Sequence, residues 1–389
     1  MLSGYKRSLS IASALFLLCV GLPTLAIAGA KIKVDDTRWF SIGLGFRSSF
    51  AVTESGAPNG SDSSSGVSFT NIRLYTAAKV HENVTLEFNT ERSDGDRATA
   101  ADGNTNLNTQ NKIQVLDAVA KFSFKGFDLW AGRFLPPSDR SNLDGPFYLN
   151  NYDFPIVQAY PAIFAGRDNG VAIMKEYAGG KFKWSYGLFE GRTNSTNTNA
   201  NPDQADNLLH AARVTYNFWD PEPGYYTTSS YYGAKDVLAV AFVFQYEDDG
   251  AGTSAVGASG DFTAWNVDVL MEKKLQNGGV VNLEGAYYDY DLEDRTDLSL
   301  TQGEGYLLLG SYLIPKQIGW GKVQPYVRYQ HFARDTRSGD GGNRTRMEGG
   351  FNYIIDGQNA KISVLYFSDR NGSNADSKNT FKIGLQFQL

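Results

Sequence analysis

The sequence predicts an all-β fold, a transmembrane antiparallel up-and-down β-barrel of about sixteen strands. Three observations predict it: apolar and polar residues alternate with a period of two, no long apolar stretch follows residue 30, and short connections alternate with long ones. Aromatic residues make up 13% of the chain and there are 41 glycines, a composition that suits strands, tight turns and interfacial aromatic belts.

The first 28 residues have the features of a secretory signal peptide. Lys6 and Arg7 precede an apolar run over 9–22, and Ala26-Ile27-Ala28 supplies the small residues of a cleavage site. Because the run is short for a membrane anchor, we expect cleavage after Ala28 and a single barrel over 29–389. The one cysteine, Cys19, lies within the signal, so the mature chain has neither disulfides nor a cysteine metal site.

Charge and hydropathy exclude two classes of protein. Without its signal the chain keeps 34 of its 36 basic residues against 42 acidic ones, so it is not a nucleic-acid binder. No helical membrane span is expected after residue 30, because that would need about 18 or more consecutive apolar residues. A barrel remains possible, since its strands bury only one face in lipid.

The alternation is clearest in the last strand. One face carries Phe381, Ile383, Leu385, Phe387 and Leu389, and the other carries Lys382, Gly384, Gln386 and Gln388. Similar runs predict strands near 38–51, 67–80, 83–92, 112–124, 127–134, 168–177, 181–190, 208–217, 236–247, 261–274, 279–291, 304–314, 322–333, 344–355, 360–369 and 378–389. A soluble β-sandwich or β-helix is the alternative, but at this length a sandwich would usually divide into domains, and a β-helix would show a short repeat, which is absent.

The connections predict the orientation of the barrel, because such barrels have short periplasmic turns and longer external loops. The long polar connections are then external, and both termini are periplasmic. These connections are 52–66, 93–111, 135–167, 191–207, 248–260, 292–303, 334–343 and 370–377. Residues 218–235 break the rule, since they form a long connection at the periplasmic end, which predicts an elaboration there or an error in the strand count.

A ring of this size is too wide for side chains to fill, so we expect a water-filled channel in the bacterial outer membrane for passive diffusion of small ions and hydrophilic solutes. The longest connection, 135–167, is expected to fold into the lumen and narrow it, although it could instead cover the barrel externally. The residues predicted to line the pore and its constriction are Arg47, Arg73, Lys121, Arg133, Asp139, Arg140, Asp144, Arg167, Lys183, Arg213 and Arg328. The several arginines favour no strong ion preference or a mild anion preference.

Three segments resemble the phosphate-selective porins of the O and P type. Gly132-Arg133-Phe134-Leu135-Pro136-Pro137-Ser138 resembles their entry to the third loop, and Gly166-Arg167-Asp168-Asn169-Gly170-Val171 resembles the start of the following strand. The final strand resembles their assembly signal, although this chain ends in Leu389 where Phe is usual. The resemblance implies a sixteen-stranded barrel, usually a homotrimer, that passes small anions or other small solutes. Phosphate selectivity is not implied, because the arginine ladder and lysine cluster of that family have no match here.

No catalytic or cofactor chemistry is predicted. His81, His210 and His331 are scattered and lack metal-ligand spacing, and no cofactor motif occurs. Outer-membrane lipid and lipopolysaccharide are expected partners, but the acidic runs Glu247-Asp248-Asp249 and 289–294 fit a solvated rim better than a cation site. Two alternative functions stay open: a barrel hydrolase using His210 or His331, and a sleeve for a partner protein threaded through the lumen.

Overall fold

A closed barrel is the architecture of the chain in the computed structural model, which describes residues 29–92, 113–158, 166–192, 207–253, 257–295, 302–335, 342–372 and 375–389. Its strands are β1 (Ala30–Lys33), β2 (Trp39–Thr53), β3 (Ser64–His81), β4 (Val84–Arg92), β5 (Gln114–Phe124), β6 (Phe127–Phe134), β7 (Asp168–Tyr177), β8 (Phe182–Phe189), β9 (Leu209–Asn217), β10 (Val237–Gly252), β11 (Ser259–Lys274), β12 (Val280–Asp291), β13 (Gly303–Leu313), β14 (Lys322–Arg334), β15 (Arg344–Asp356), β16 (Ala360–Asn371) and β17 (Lys378–Gln388). One helix, α1 (Arg140–Tyr148), lies between β6 and β7.

Strands β2 to β17 close the barrel. Each pairs antiparallel with the next along the chain, and β17 pairs back onto β2 over Thr380–Gln388 and Gly45–Thr53. No strand of this ring therefore has a free edge, which a lipid environment requires because unpaired backbone groups cannot find water there. Among the described residues no helix has the length and apolarity needed to cross a bilayer.

The barrel is apolar outside and polar inside, the reverse of a soluble β-sandwich. On β17 the outward-facing Phe381 and Phe387 are 40% and 42% exposed, whereas the inward-facing Gln386 is 1% exposed. The same division holds on β14, where Val327 faces outward and Arg328 is buried inside. Large apolar side chains left exposed on a closed ring of strands mark the surface that faces lipid.

The predicted strands agree with the observed ones within a few residues, and the count of sixteen barrel strands is confirmed. The largest difference is at β10, which continues to Gly252 through the acidic run that the sequence suggested was a loop. Polar hairpin ends can extend beyond the bilayer into water, so the loss of apolar alternation does not mark the end of a strand. The predicted signal segment, 1–28, lies outside the described residues.

The short strand β1 was not predicted. It is exposed along its whole length and pairs with Trp39–Ile42 at the start of β2, next to the position where β17 ends. At that junction the main chains of Leu44 and Leu389 exchange two hydrogen bonds of 3.0 and 2.8 Å. Strand β1 thus continues the pairing along this edge of β2 for four more residue pairs beyond Leu389.

Residues 218–235 join β9 to β10 and are an elaboration rather than a counting error, because β9 and β10 pair directly with each other. This connection leaves the ends of these strands that are predicted to be periplasmic and returns into the barrel, where Ser229 and Glu222 are 0% and 2% exposed. We call residues 218–235 the periplasmic segment, after this prediction, and the described residues 135–158 the lumen loop.

Candidate functional site: the lumen and the two segments inside it

The lumen loop lies inside the barrel. The Asp139 side chain caps the N-terminus of α1 by accepting a hydrogen bond from the backbone N–H of Ser141 at 3.1 Å. The helix is kinked at Gly145, whose φ of 62° is in the left-handed region, and it ends at Leu149. Every residue from Arg140 to Phe147 is buried against the barrel or the periplasmic segment. A polar helix buried in this way cannot be an external cover.

Glycines on the barrel wall make room for apolar side chains of the lumen loop. A Cβ atom at Gly45 on β2 would lie 2.6 Å from Cζ of Phe147, and one at Gly384 on β17 would lie 2.3 Å from the Tyr152 ring. Both rings therefore occupy space that only glycine leaves open. Phe147 and Tyr152 are 0% and 1% exposed, so these contacts fix the loop to the wall where β17 meets β2.

The end of α1 is held by polar side chains of the wall. The last carbonyls of a helix have no partner within it and need donors from elsewhere. Gln386 Nε2 donates to the Phe147 carbonyl at 2.8 Å, and Lys361 Nζ donates to the Leu149 carbonyl at 2.9 Å. Further along, Lys382 Nζ lies 2.7 Å from the Asp153 carboxylate. The lumen loop is thus bonded to β16 and β17 from Phe147 to Asp153.

The periplasmic segment fills the other side of the lumen. Tyr225 and Tyr226 pack on Trp130 of β6, with ring centroids 4.9 and 5.8 Å apart, and the Tyr225 hydroxyl donates to the Leu135 carbonyl at 2.7 Å. These rings join a buried apolar cluster inside the barrel. Its members include Phe134, Val157, Phe189, Phe262, Tyr288, Tyr290 and Phe332. Apolar packing of this extent inside a sixteen-stranded barrel means that its own chain fills much of the cross-section.

The two inward segments meet at two carboxylates with opposite pKa behaviour, neither of which lies on a membrane-spanning strand. Burial alone would raise the pKa of Glu222, but the Arg140 guanidinium, which it binds through two hydrogen bonds of 2.9 and 2.7 Å, lowers that pKa to about 2. For Asp144 burial dominates and raises the pKa well above its ordinary value, while Thr227 and Ser229 hydroxyls donate to it. Glu222 therefore stays ionised and paired at neutral pH, whereas Asp144 favours its neutral form.

The structure places most of the predicted pore-lining cations on the inner side, yet it pairs them with carboxylates. The distances are 2.6 Å for Arg73–Glu91, 2.8 Å for Arg167–Asp117, 2.5 Å for Arg213–Asp268, 2.6 Å for Arg328–Glu348 and 2.7 Å for Arg140–Glu222, and Lys121 pairs with Glu87. Arg47 instead donates to Asn71 Oδ1 at 2.7 Å and to the Tyr152 carbonyl, and Lys183 Nζ donates to the Gly224 carbonyl at 2.9 Å. Asp139 accepts a bond of 2.8 Å from the Tyr288 hydroxyl.

Arg133 is the exception among the predicted residues. It pairs with Ala118 on β5 and Asn169 on β7, while its neighbours Trp130 and Phe134 are the buried, inward-facing residues of β6. Strand alternation therefore puts Arg133 on the outer face at the external end, and it does not line the lumen. The prediction that Arg133 lines the lumen was wrong, because the alternation of side chains along β6 determines which face of the barrel it is on.

Partly exposed charged side chains lie at two places on the inner wall, and one of them is beside β3 to β5. Tyr75, Glu87 and Lys121 face inward there and are only partly buried, with 24% and 14% of the Glu87 and Lys121 side chains exposed. The other place is beside β16 and β17, where the Asp369 and Lys382 side chains are 18% and 15% exposed. Elsewhere on the inner wall Glu348, Asn352 and Lys361 are all 0% exposed, because the chain's own inward segments cover them.

Four charged residues that bind or belong to the inward segments are absent from the predicted pore-lining set, namely Glu222, Asp153, Lys361 and Lys382. The last two lie on the inner faces of β16 and β17, where the alternation of the strands places them. Glu222 carried no such signal, because it lies in an irregular connection with no period. Of the histidines, His210 and His331 face outward beside Tyr186 and Thr345, at 2.7 and 2.9 Å. The described residues hold no cluster of three or more potential metal ligands.

Comparison with known proteins supports the family resemblance. A sequence model of the family "Phosphate-selective porin O and P" matches residues 300–389, which span β13 to β17. An uncharacterized protein of Aquifex aeolicus is 26% identical over 230 residues. That match covers 56% of this chain and about half of the relative, 53%. The predicted resemblance to these porins is confirmed, most directly over the last five strands.

Solved structures show the same fold at low sequence identity. OmpF of Salmonella typhi, in a complex with daunomycin, aligns with a TM-score of 0.57 at 12% identity, covering 92% of this chain and 100% of that one. An anion-selective porin from Comamonas acidovorans aligns with a TM-score of 0.55 at 10% identity, covering 90% and 100%. The trimer form of OmpT of Vibrio cholerae aligns with a TM-score of 0.52 at 14% identity, covering 91% and 100%. The chain therefore has the barrel fold of outer-membrane porins.

Proposed function

We propose that the chain forms a narrow channel in the bacterial outer membrane for passive diffusion of small hydrophilic solutes and ions, after export by a cleaved signal peptide. The observation that carries this function is a closed ring of sixteen strands with an apolar outer face and a polar, charged inner face. Such a ring has room for an aqueous path unless its own chain fills it completely. That the chain is not an enzyme stays a prediction.

The lumen loop sets the width of this channel. Its support is the complete burial of Arg140 to Phe147 among inward-facing residues of the wall. Deleting 138–160 removes α1 and the Phe147 and Tyr152 anchors, so single-channel conductance in planar bilayers should rise. A matched control deletes 58–61 from the exposed external turn between β2 and β3, and its conductance should equal that of the wild type. An unchanged conductance on loss of 138–160 would refute the constriction.

The ion preference is proposed to be weak or mildly anionic, because the inner wall carries charges of both signs. Most cations there are neutralised by a carboxylate, but Arg47, Lys183 and Lys361 donate to carbonyl or amide oxygens instead. Buried carboxylates such as Glu272 and Glu284 likewise bind neutral donors, so neither sign of charge dominates the inner surface and only the number of arginines favours anions. The reversal potential under a tenfold KCl gradient should have the sign of anion preference and lie well below the roughly 59 mV of a perfectly selective pore. A potential of the opposite sign would contradict the proposal.

A homotrimer embedded in outer-membrane lipid and lipopolysaccharide completes the proposed assembly. Its support is the porin-type barrel, one solved example of which is a trimer. Light scattering of the detergent-solubilised protein would measure the mass, and a monomer mass at all concentrations would contradict the trimer. The sleeve hypothesis is less well supported, because the chain's own lumen loop and periplasmic segment occupy the space a threaded partner would need.

A further inference from the structure

The periplasmic segment forms hydrogen bonds with the start, the middle and the end of α1. At the start of the helix, Arg140 forms its two-bond contact with Glu222 and also donates to the Thr228 carbonyl at 3.0 Å. In the middle, the Thr227 and Ser229 hydroxyls donate to Asp144 at 2.6 and 2.5 Å. At the end, the Ser229 N–H donates to the Tyr148 carbonyl at 3.0 Å.

The same segment is bonded to the barrel wall behind it. Glu272 of β11 accepts hydrogen bonds from the Ser230 hydroxyl at 2.9 Å and from the Tyr231 and Gly233 N–H groups at 2.9 and 2.8 Å. Asn282 of β12 donates to the Ser229 carbonyl at 2.7 Å. The segment therefore lies between the later part of α1 and the wall of β11 and β12. The start of the helix reaches that wall directly, where the Arg140 N–H donates to Asp268 at 3.1 Å and the Ser141 hydroxyl donates to Glu284 at 3.3 Å.

Arg140 and Glu222 form the one ion pair within the described residues that joins the two inward segments directly. Arg140 and Glu222 are 1% and 2% exposed, and the next carboxylate, Asp268, is 3.9 Å from Arg140 Nε. A buried pair of this kind loses most of its stabilisation when one partner loses its charge, because the other charge is left without compensation. Contacts between the segments should thus weaken together when this pair is broken.

We propose that the periplasmic segment is the second half of the constriction, and that the Arg140–Glu222 pair latches it to the lumen loop so that the aperture is set from the periplasmic side. This inference rests on the proposed channel function. With the latch intact, the two segments act as one plug that narrows the lumen. With the latch broken, α1 keeps its anchors on β2, β16 and β17 and its backbone bond to Asp268 of β11, but its attachment to the periplasmic segment weakens, and the plug opens intermittently.

The test compares Glu222→Gln with Glu348→Gln. Both replace a buried carboxylate that pairs with an arginine by its neutral isostere, but Glu348 binds Arg328 on the neighbouring wall strand and Asn151 of the lumen loop rather than the periplasmic segment. In planar bilayers E222Q should show intermittent larger openings, with an open-time fraction about tenfold or more above wild type, whereas E348Q should keep the wild-type pattern. Heat-modifiable migration on gels checks that both barrels are folded.

A reversible tether separates loss of the latch from general damage. The mature chain has no cysteine, so Asp144→Cys and Thr227→Cys in the E222Q background can link the segments where their side chains touch. Oxidation should suppress the extra openings, and a reductant should restore them. Wild-type behaviour of E222Q, or equal openings in E348Q, would overturn the latch while leaving the channel function standing. A complete lack of conductance in wild type and in the 138–160 deletion would overturn the channel function itself, and the latch with it.

Discussion

Gly45 offers a direct test of how the lumen loop is held. In Gly45→Ala the new Cβ would lie 2.6 Å from Phe147 Cζ, where carbon atoms normally rest about 3.5–4.0 Å apart. The ring must therefore move by about 1 Å. Phe147 is 0% exposed and packs between Arg47, Arg73 and the Tyr75 ring, so little space is free for that movement. Overpacking of this kind costs about 1–3 kcal/mol.

Because β2 keeps its backbone pairing in G45A, that cost falls on docking of the lumen loop rather than on the barrel. The rate of trypsin cleavage after Arg140 measures docking, because Arg140 is buried and becomes accessible only when the lumen loop detaches from the wall. G45A should be cut after Arg140 faster than wild type, while its heat-modifiable band persists. The control is Gly349→Ala, whose new Cβ meets nothing nearer than the Tyr326 carbonyl oxygen at 4.0 Å. Equal cleavage rates in G45A, G349A and wild type would refute the docking argument.

Three further predictions concern charge and closure. Glu91→Gln leaves Arg73 without its 2.6 Å partner, so the reversal potential should move toward anions; no movement would show that this pair lies off the ion path. Asp144→Asn should change the unfolding free energy by less than about 1 kcal/mol, because burial raises the pKa of Asp144 and favours its neutral form; a large loss of thermal stability would contradict this. Removing 387–389 deletes the hydrogen bonds between Leu389 and Leu44, so the yield of heat-modifiable barrel in outer-membrane fractions should fall, and an unchanged yield would count against the seam.

The strands could be predicted because lipid imposes a simple rule on them. Outward residues such as Ile383 and Leu385 must be apolar, inward ones such as Gln386 need not be, and a period of two follows directly. The same rule put Arg47, Arg213 and Arg328 on the inner side. The prediction for Arg133 was wrong, because the alternation of β6 places Trp130 and Phe134 inside and therefore Arg133 outside.

Partners of the inward charges could not be predicted from one sequence. Arg73 meets Glu91 through the register of β3 and β4, and that register contains an irregularity at Lys79 and His81. The Arg140–Glu222 pair joins two irregular connections 82 residues apart, where no periodicity restricts the backbone. Nor did the sequence indicate that an apolar cluster would form inside the barrel, since its aromatic residues are equally suited to an interfacial belt.

The closing seam between β17 and β2 has a consequence for how the protein is made. Thr53 and Thr380 face each other across it and are 327 positions apart in the chain. The first barrel strand to leave the exporting machinery must therefore remain unpaired on one edge until the last has arrived. Contacts of such long range form slowly, and an exposed edge invites association with other chains. We therefore expect the polypeptide to need a chaperone during its passage across the periplasm, and its release into the membrane to await the final residues.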